Sequence, residues 1–157
     1  MDIIIALDWQ EIWSHFYHLI IAFLLAVPLG WDREQESHGA GLRTFPLVAL
    51  GSCAYMLTGI YVLDSTDAEA RVIYGILTGI GFIGGGAILK EKGNVAGTAT
   101  AASIWNTGAI GMAVAWDRYE IALVLSALNF LTFRFMPLFK KQLASTPSKT
   151  DHTLKPQ

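Results

Sequence analysis

The side chains able to do chemistry in this chain fall into three groups. Asp32, Arg33, Glu34, Glu36 and Arg43 crowd five charges between two apolar segments. Gly39 and Gly41 allow the chain to turn back sharply there, so Arg33 and Arg43 could meet the same carboxylates. Two readings stay open, a solvated turn and an ion-paired cluster held against the bilayer; a Mg²⁺ role would need several carboxylate oxygens to converge. In the second group, Thr100, Ser103 and Thr107 form an i, i+3, i+7 stripe, with Asn106 beside it and Thr98 ahead of it. Such side chains either hydrogen-bond across helices or line a polar path. Polar glue is preferred, with Asn129 and Thr132 as natural partners. In the third group, Glu11, His15 and His18 share one helical face, and neutral imidazoles suit Zn²⁺ better than Mg²⁺. Interfacial histidines are commoner than sites, and no metal centre is expected.

Soluble-enzyme chemistry finds little to work with. The chain has no G-x-S-x-G, no H-E-x-x-H, no G-x-x-x-x-G-K-[ST] and no pair of carboxylates within its apolar segments to relay protons. No catalytic residue and no cofactor is expected. Gly79-Ile80-Gly81-Phe82-Ile83-Gly84 does spell the dinucleotide fingerprint G-x-G-x-x-G, but that motif needs a βαβ context and an acid about 20 residues on. Here the next acids are Glu91 and Asp117, and helix packing explains the glycines better. Cys53 is the single cysteine, which rules out an internal disulfide and a CxxC pair.

The elements that must position these groups are set by hydropathy. The 157 residues are 53% hydrophobic and 15% charged, with mean hydropathy +0.43, which makes a membrane the solvent. Crossing a ~30 Å hydrocarbon core takes about 20 mostly apolar helical residues. Five segments qualify: 12–30, 45–63, 72–89, 98–116 and 119–139, with Glu120 and Arg134 the only charges inside them. The expected fold is an all-α integral membrane protein, a five-transmembrane-helix bundle. Basic residues sort nine to one side and two, Arg71 and Arg118, to the other. Cytoplasmic loops carry the excess of Lys and Arg, so the N-terminus is expected outside and the C-terminus in the cytoplasm. The net charge of −2 then resolves into −6 outside and +4 inside, and a nucleic-acid partner is excluded for want of a basic patch. Residues 1–11 read as an extracytoplasmic segment, 12–141 as the membrane domain and 142–157 as a disordered cytoplasmic tail. Trp9, Trp13, Trp31 and Trp116 fall near span ends, where indoles favour the interface.

The third segment is the richest in glycine, with Gly75, Gly79, Gly81, Gly84, Gly85 and Gly86. Gly75-xxx-Gly79 and Gly81-xxx-Gly85 are small-xxx-small pairs on different faces, which predicts a central helix packed against the small residues of the fourth. They also leave room for a homodimer. The connection after each outward-to-inward span is similar: Arg33-Glu34 then Ala40-Gly41-x-x-Thr44, and Lys90-Glu91 then Ala96-Gly97-x-x-Thr100. A parallel repeat of helices 1–2 and 3–4 and a chance likeness of short loops account for this equally.

Taken together, Leu29-Gly30-Trp31-Asp32-Arg33-Glu34, Gly41-Leu42-Arg43-Thr44, the Gly79–Gly86 run, and Gly97-Thr98-Ala99-Thr100-Ala101-Ala102-Ser103-Ile104-Trp105 resemble the membrane domain of the MgtC/SapB family. The likeness covers residues 12–141. It implies a multi-pass protein of the bacterial inner membrane, without established enzymatic activity, linked to growth in low Mg²⁺, to survival in macrophages and to control of the F-type ATP synthase. Carried over residue by residue, the functional positions would be Asp32, Arg33, Glu34, Gly41, Arg43 and Thr44, the glycine run, and Thr98, Thr100, Ser103, Trp105 and Asn106. Asp32 stands where the family more often has Glu. Virulence-associated members carry an additional soluble domain after the last span, whereas this chain ends sixteen residues past Lys141, so the resemblance does not carry over activity that depends on that domain. The expected function is a regulatory module that binds membrane lipid and docks on another membrane protein complex. The alternative is a small ion transporter or channel with a polar path along helix 4.

Overall fold

The computed structural model describes residues 8–36, 40–63, 65–91 and 94–144. Residues 1–7 of the N-terminal segment, Gly39 and the tail from 145 onward lie outside the described residues. The order is α1 (Trp9–Glu36), α2 (Thr44–Val62), α3 (Thr66–Gly86), β1 (Leu89–Glu91), β2 (Asn94–Ala96), α4 (Thr98–Ala115) and α5 (Tyr119–Ala144). All five expected helices are present. Three of them contain stretches long and apolar enough to cross a membrane: Trp9–Gln35, Thr44–Val62 and Tyr119–Pro137. Asp67, Glu69 and Arg71 lower the hydropathy of α3, and glycine, serine, threonine and Asn106 dilute the apolar content of α4.

Helix ends depart from the hydropathy limits for local reasons. α1 runs through Pro28 and on to Glu36, so Asp32, Arg33 and Glu34 sit on helical turns and not in a loop. α3 starts at Thr66, where the Ser65 side chain accepts from the Ala68 N–H and Asp67 and Glu69 complement the positive helix end. It stops at Gly86 because three successive glycines weaken the last turn, which closes with Ala87 N–H donating to Gly84 O. The chain then forms a short antiparallel hairpin, pairing Leu89 with Ala96, which hydropathy alone read as the end of a span and a loop.

Direction reverses at every connection. Gly30 of α1 lies against Leu42, and Gly59 of α2 against Val72 of α3. Gly84 of α3 lies against Ala101 of α4. His18 of α1 reaches Asp117 in the turn between α4 and α5. At the centre stands α4, in contact with each of the other four helices, where the glycine count had pointed to the third.

The interior combines larger apolar residues such as Phe45, Leu29, Met56, Ile104 and Ile110 with small and weakly polar ones such as Ala22, Ala49, Ser52, Ser103 and Thr107. Phe16, Leu24, Leu47, Tyr55, Tyr74, Phe82 and Leu123 face outward, each more than half exposed. An apolar exterior on this scale is at home in lipid, where small interfacial residues let helices approach closely.

Candidate functional site

The charged motif is built into the last turns of α1. Arg33 Nη2 donates to Asp32 Oδ2 at 2.9 Å, and both side chains are about 10% exposed. The guanidinium also lies 3.9 Å from the centre of the Phe133 ring on α5, a cation–π contact that suits a charge removed from water. Removing Arg33 from such a buried pair would leave the Asp32 carboxylate without its counter-charge. Glu34 faces the other way, accepting from the Leu42 N–H at 3.0 Å. Gly41 makes that possible, since a Cβ there would collide with the Glu34 carboxylate. A Cβ on Gly30 would stand 3.0 Å from Leu42 Cα. Gly30, Glu34, Gly41 and Leu42 are therefore one device that closes the α1–α2 connection. Arg43 is exposed at the N-cap position of α2, and among the described residues its guanidinium has no ion-pair partner. Arg33 and Arg43 do not share a carboxylate there. Thr44 opens α2, half-buried.

The polar stripe of α4 is buried in protein. Thr100, Ser103 and Thr107 are at most 8% exposed, Asn106 is half-buried and Thr98 is exposed. Thr107 Oγ1 donates to the Ser103 carbonyl at 2.8 Å, within its own helix. Ser126 of α5 donates to Leu25 O of α1 at 2.7 Å, and with His18–Asp117 and Arg33–Phe133 it fixes α1 beside α5 along their length. Ser103 Oγ and Asn129 Nδ2 are buried and have no hydrogen-bond partner among the described residues. Measured along the helices from Asp117 at ~1.5 Å per residue, the two lie within about 5 Å in depth. Thr132, the other expected partner, is exposed and bonds to its own helix at Leu128 O.

The glycine cluster divides by face. Gly84 packs on α4, where a Cβ would stand 3.0 Å from Ala101 O. Gly75, Gly79, Gly81, Gly85 and Gly86 have nothing within 4 Å of an added Cβ. Gly75 and Gly79 line a cavity between α2 and α3. The tightest helix contact uses Gly108, which sequence reasoning did not single out, and Gly111, which it counted among the small residues of the fourth segment expected to pack on the third. A Cβ on Gly111 would overlap Ala49 O and stand 2.9 Å from Ser52 Cβ, and one on Gly108 would meet the tip of Ile80. The Gly108-xx-Gly111 spacing, matched by Ala49-xx-Ser52 on α2, was the available signal.

The opposite end carries a polar clasp. The His18 ring bridges Ser14 O at 2.7 Å and Asp117 Oδ1 at 2.9 Å, and Tyr119 Oη donates to the same Oδ1 at 2.7 Å. Asp117 adopts φ 57°, a left-handed angle that Asp tolerates better than most residues. Hydrogen bonds from Tyr119 and His18 hold its carboxyl below the ordinary value. Glu11, His15 and His18 do not converge: His15 stacks edge-on against Tyr61, with ring centres 4.8 Å apart. No grouping of three metal-ligating side chains occurs among the described residues.

Comparison with known proteins finds the model of the MgtC family matching residues 19–142. YhiD of Escherichia coli K12, named as a candidate magnesium transporter, is 38% identical over 133 residues, covering 75% of this chain and 62% of its own length. SrpB of Synechococcus elongatus is 30% identical over 138 residues, 80% of this chain and 74% of its own. MgtC of Salmonella typhimurium is 34% identical over 114 residues, 73% of this chain and 48% of its own. The chain thus spans less than two thirds of YhiD and about half of MgtC. No solved structure matches.

Proposed function

The chain belongs to the MgtC family, and from that premise we propose that it is a multi-pass regulatory protein of the bacterial inner membrane that docks on another membrane protein when magnesium is limiting. In this reading all five helices span the bilayer, with the N-terminus outside and Arg33, Arg43 and Lys90 at the cytoplasmic face, as the nine-to-two sorting of basic residues favours. The observation that carries the docking role is the open face of α3. Gly81 and Gly85 are exposed one helical turn apart with nothing near them. Lipid gives such a face little, whereas a second helix can approach it closely and gain van der Waals contact. The Asp32–Arg33 pair and the Glu34–Leu42 bond hold the cytoplasmic end rigid beside it, and Arg43 remains exposed to meet a partner. That partner is another membrane complex or a second copy of the chain, and the size of the captured species distinguishes them. Affinity capture from native membranes tests the idea. Gly85→Leu and Arg43→Ala should each insert normally and lose the captured partner, and unchanged recovery with both variants rejects docking.

The naming of YhiD as a candidate magnesium transporter motivates a second reading, in which Mg²⁺ would pass along the α4 stripe. The burial of Thr100, Ser103 and Thr107 against neighbouring helices weighs against an open path, and Thr107 bonds within its own helix. Mg²⁺ flux into proteoliposomes above empty-vesicle leak would replace the first reading with the second.

A further inference from the structure

A cavity of about 720 Å³ opens along the seam between α2 and α3, on a different face from Gly81 and Gly85. Leu47, Gly51 and Tyr55 form one wall, and Ile83, Gly79 and Ile76 the other. Gly51, Gly75 and Gly79 supply no side chain, and nothing lies within 4 Å of where a Cβ would stand, so the protein does not fill this space itself. An unfilled apolar wall forfeits dispersion contacts that a flexible hydrocarbon can restore.

Length and charge identify the occupant. The lining follows α2 from Thr44 to Tyr55, which at ~1.5 Å per residue is about 16 Å. That is the depth of one leaflet of a ~30 Å hydrocarbon core, whereas a docked transmembrane helix would need the full thickness. The groove ends at the basic side of the bundle: Thr44 lines its mouth and Arg43 is the next residue, exposed at the N-cap of α2 with no side-chain cap on that helix. The nearby Glu34 carboxylate is engaged by the Leu42 N–H. A guanidinium at a helix N-terminus favours a phosphate.

We propose that the α2–α3 groove holds an acyl chain of one anionic phospholipid, with its phosphate at Arg43 and Thr44. The lipid belongs to the leaflet on the Arg43 side, and its binding does not depend on a protein partner.

Native mass spectrometry of the purified chain, supplied with dioleoylphosphatidylglycerol or dioleoylphosphatidylcholine, tests this. The wild type should retain one phosphatidylglycerol roughly fivefold better than phosphatidylcholine, the worth of one basic residue near an anionic headgroup. Gly79→Leu should fill the groove and lose both lipids, Arg43→Ala should retain both equally, and Leu123→Ala, on the outward face of α5 and off the groove, should behave as wild type. If Gly79→Leu does not insert, Gly75→Leu makes the same test. Undiminished phosphatidylglycerol on the groove-filling variant overturns the proposal, as does equal retention of the two lipids by the wild type. Loss of a second protein copy from Gly79→Leu, in place of lipid, would make the groove a protein interface and also overturn it.

Discussion

Replacing Gly111 by alanine puts a methyl group where the backbone of α2 already lies. The new Cβ would overlap the Ala49 carbonyl oxygen and stand 2.9 Å from Ser52 Cβ and 3.0 Å from Cys53 N. Two of these three neighbours are backbone atoms, so no side-chain rotation relieves the clash and α2 must move from α4. Overpacking of this kind costs about 1–3 kcal/mol, and a rigid neighbour puts Gly111 near the upper end. Alanine returns up to about 1 kcal/mol of helix propensity, leaving a net loss of roughly 2 kcal/mol. Gly81→Ala is the matched control, because nothing lies within 4 Å of its Cβ and only the propensity gain applies. The two variants should therefore differ by about 3 kcal/mol, or roughly 6–12 °C in melting temperature for a chain of this size. Thermal unfolding of both proteins in one detergent measures the gap. Equal melting temperatures, or a larger loss at Gly81, would refute the view that the α2–α4 seam is the tightest contact and that this face of α3 is free.

Gly41→Ala should displace the Glu34 carboxylate from the Leu42 N–H and cost about 1–3 kcal/mol. Because the clash runs through Glu34, the double variant with Glu34→Ala should show a coupling of at least about 0.5 kcal/mol in a thermal double-mutant cycle, and strict additivity would count against the shared device. The clasp at the other end predicts a pH dependence. The Asp117 carboxyl is held below the ordinary carboxylate value by hydrogen bonds from Tyr119 and His18, so its contribution is present above that ordinary value, ~3.9, and lost as pH falls through the depressed one. Asp117→Asn should melt below wild type at neutral pH, with the gap closing as acid protonates the wild-type carboxyl. A gap independent of pH would mean that the clasp acts through shape alone.

The five helices were legible in the chain because apolar runs separated by charges dictate helices wherever backbone groups must be satisfied internally. Their ends were not, since Asp32-Arg33-Glu34 looks like a loop to any hydropathy argument. In the structure it is helix, with Asp32 and Arg33 buried together and Phe133 supplied from α5, a hundred residues on. The polar stripe of α4 was visible as periodicity, but only packing placed Thr107 and Ser103 inside the bundle and left Thr132 outside it.

Glycine shows the division most sharply. The residues alone determine where helices can approach closely, because a missing Cβ is a local property. Which glycines are used depends on what stands opposite. The conspicuous cluster on α3 is largely open, while Gly108 meets Ile80 of α3, Gly111 meets α2 and Gly41 meets Glu34. Composition and periodicity thus determined a membrane-compatible chain of five helices. Tertiary structure decided that α4 is its centre, that Gly75 and Gly79 border a groove, and that Gly81 and Gly85 face outward, because close packing is a relation between two surfaces and the sequence of either one leaves its partner open.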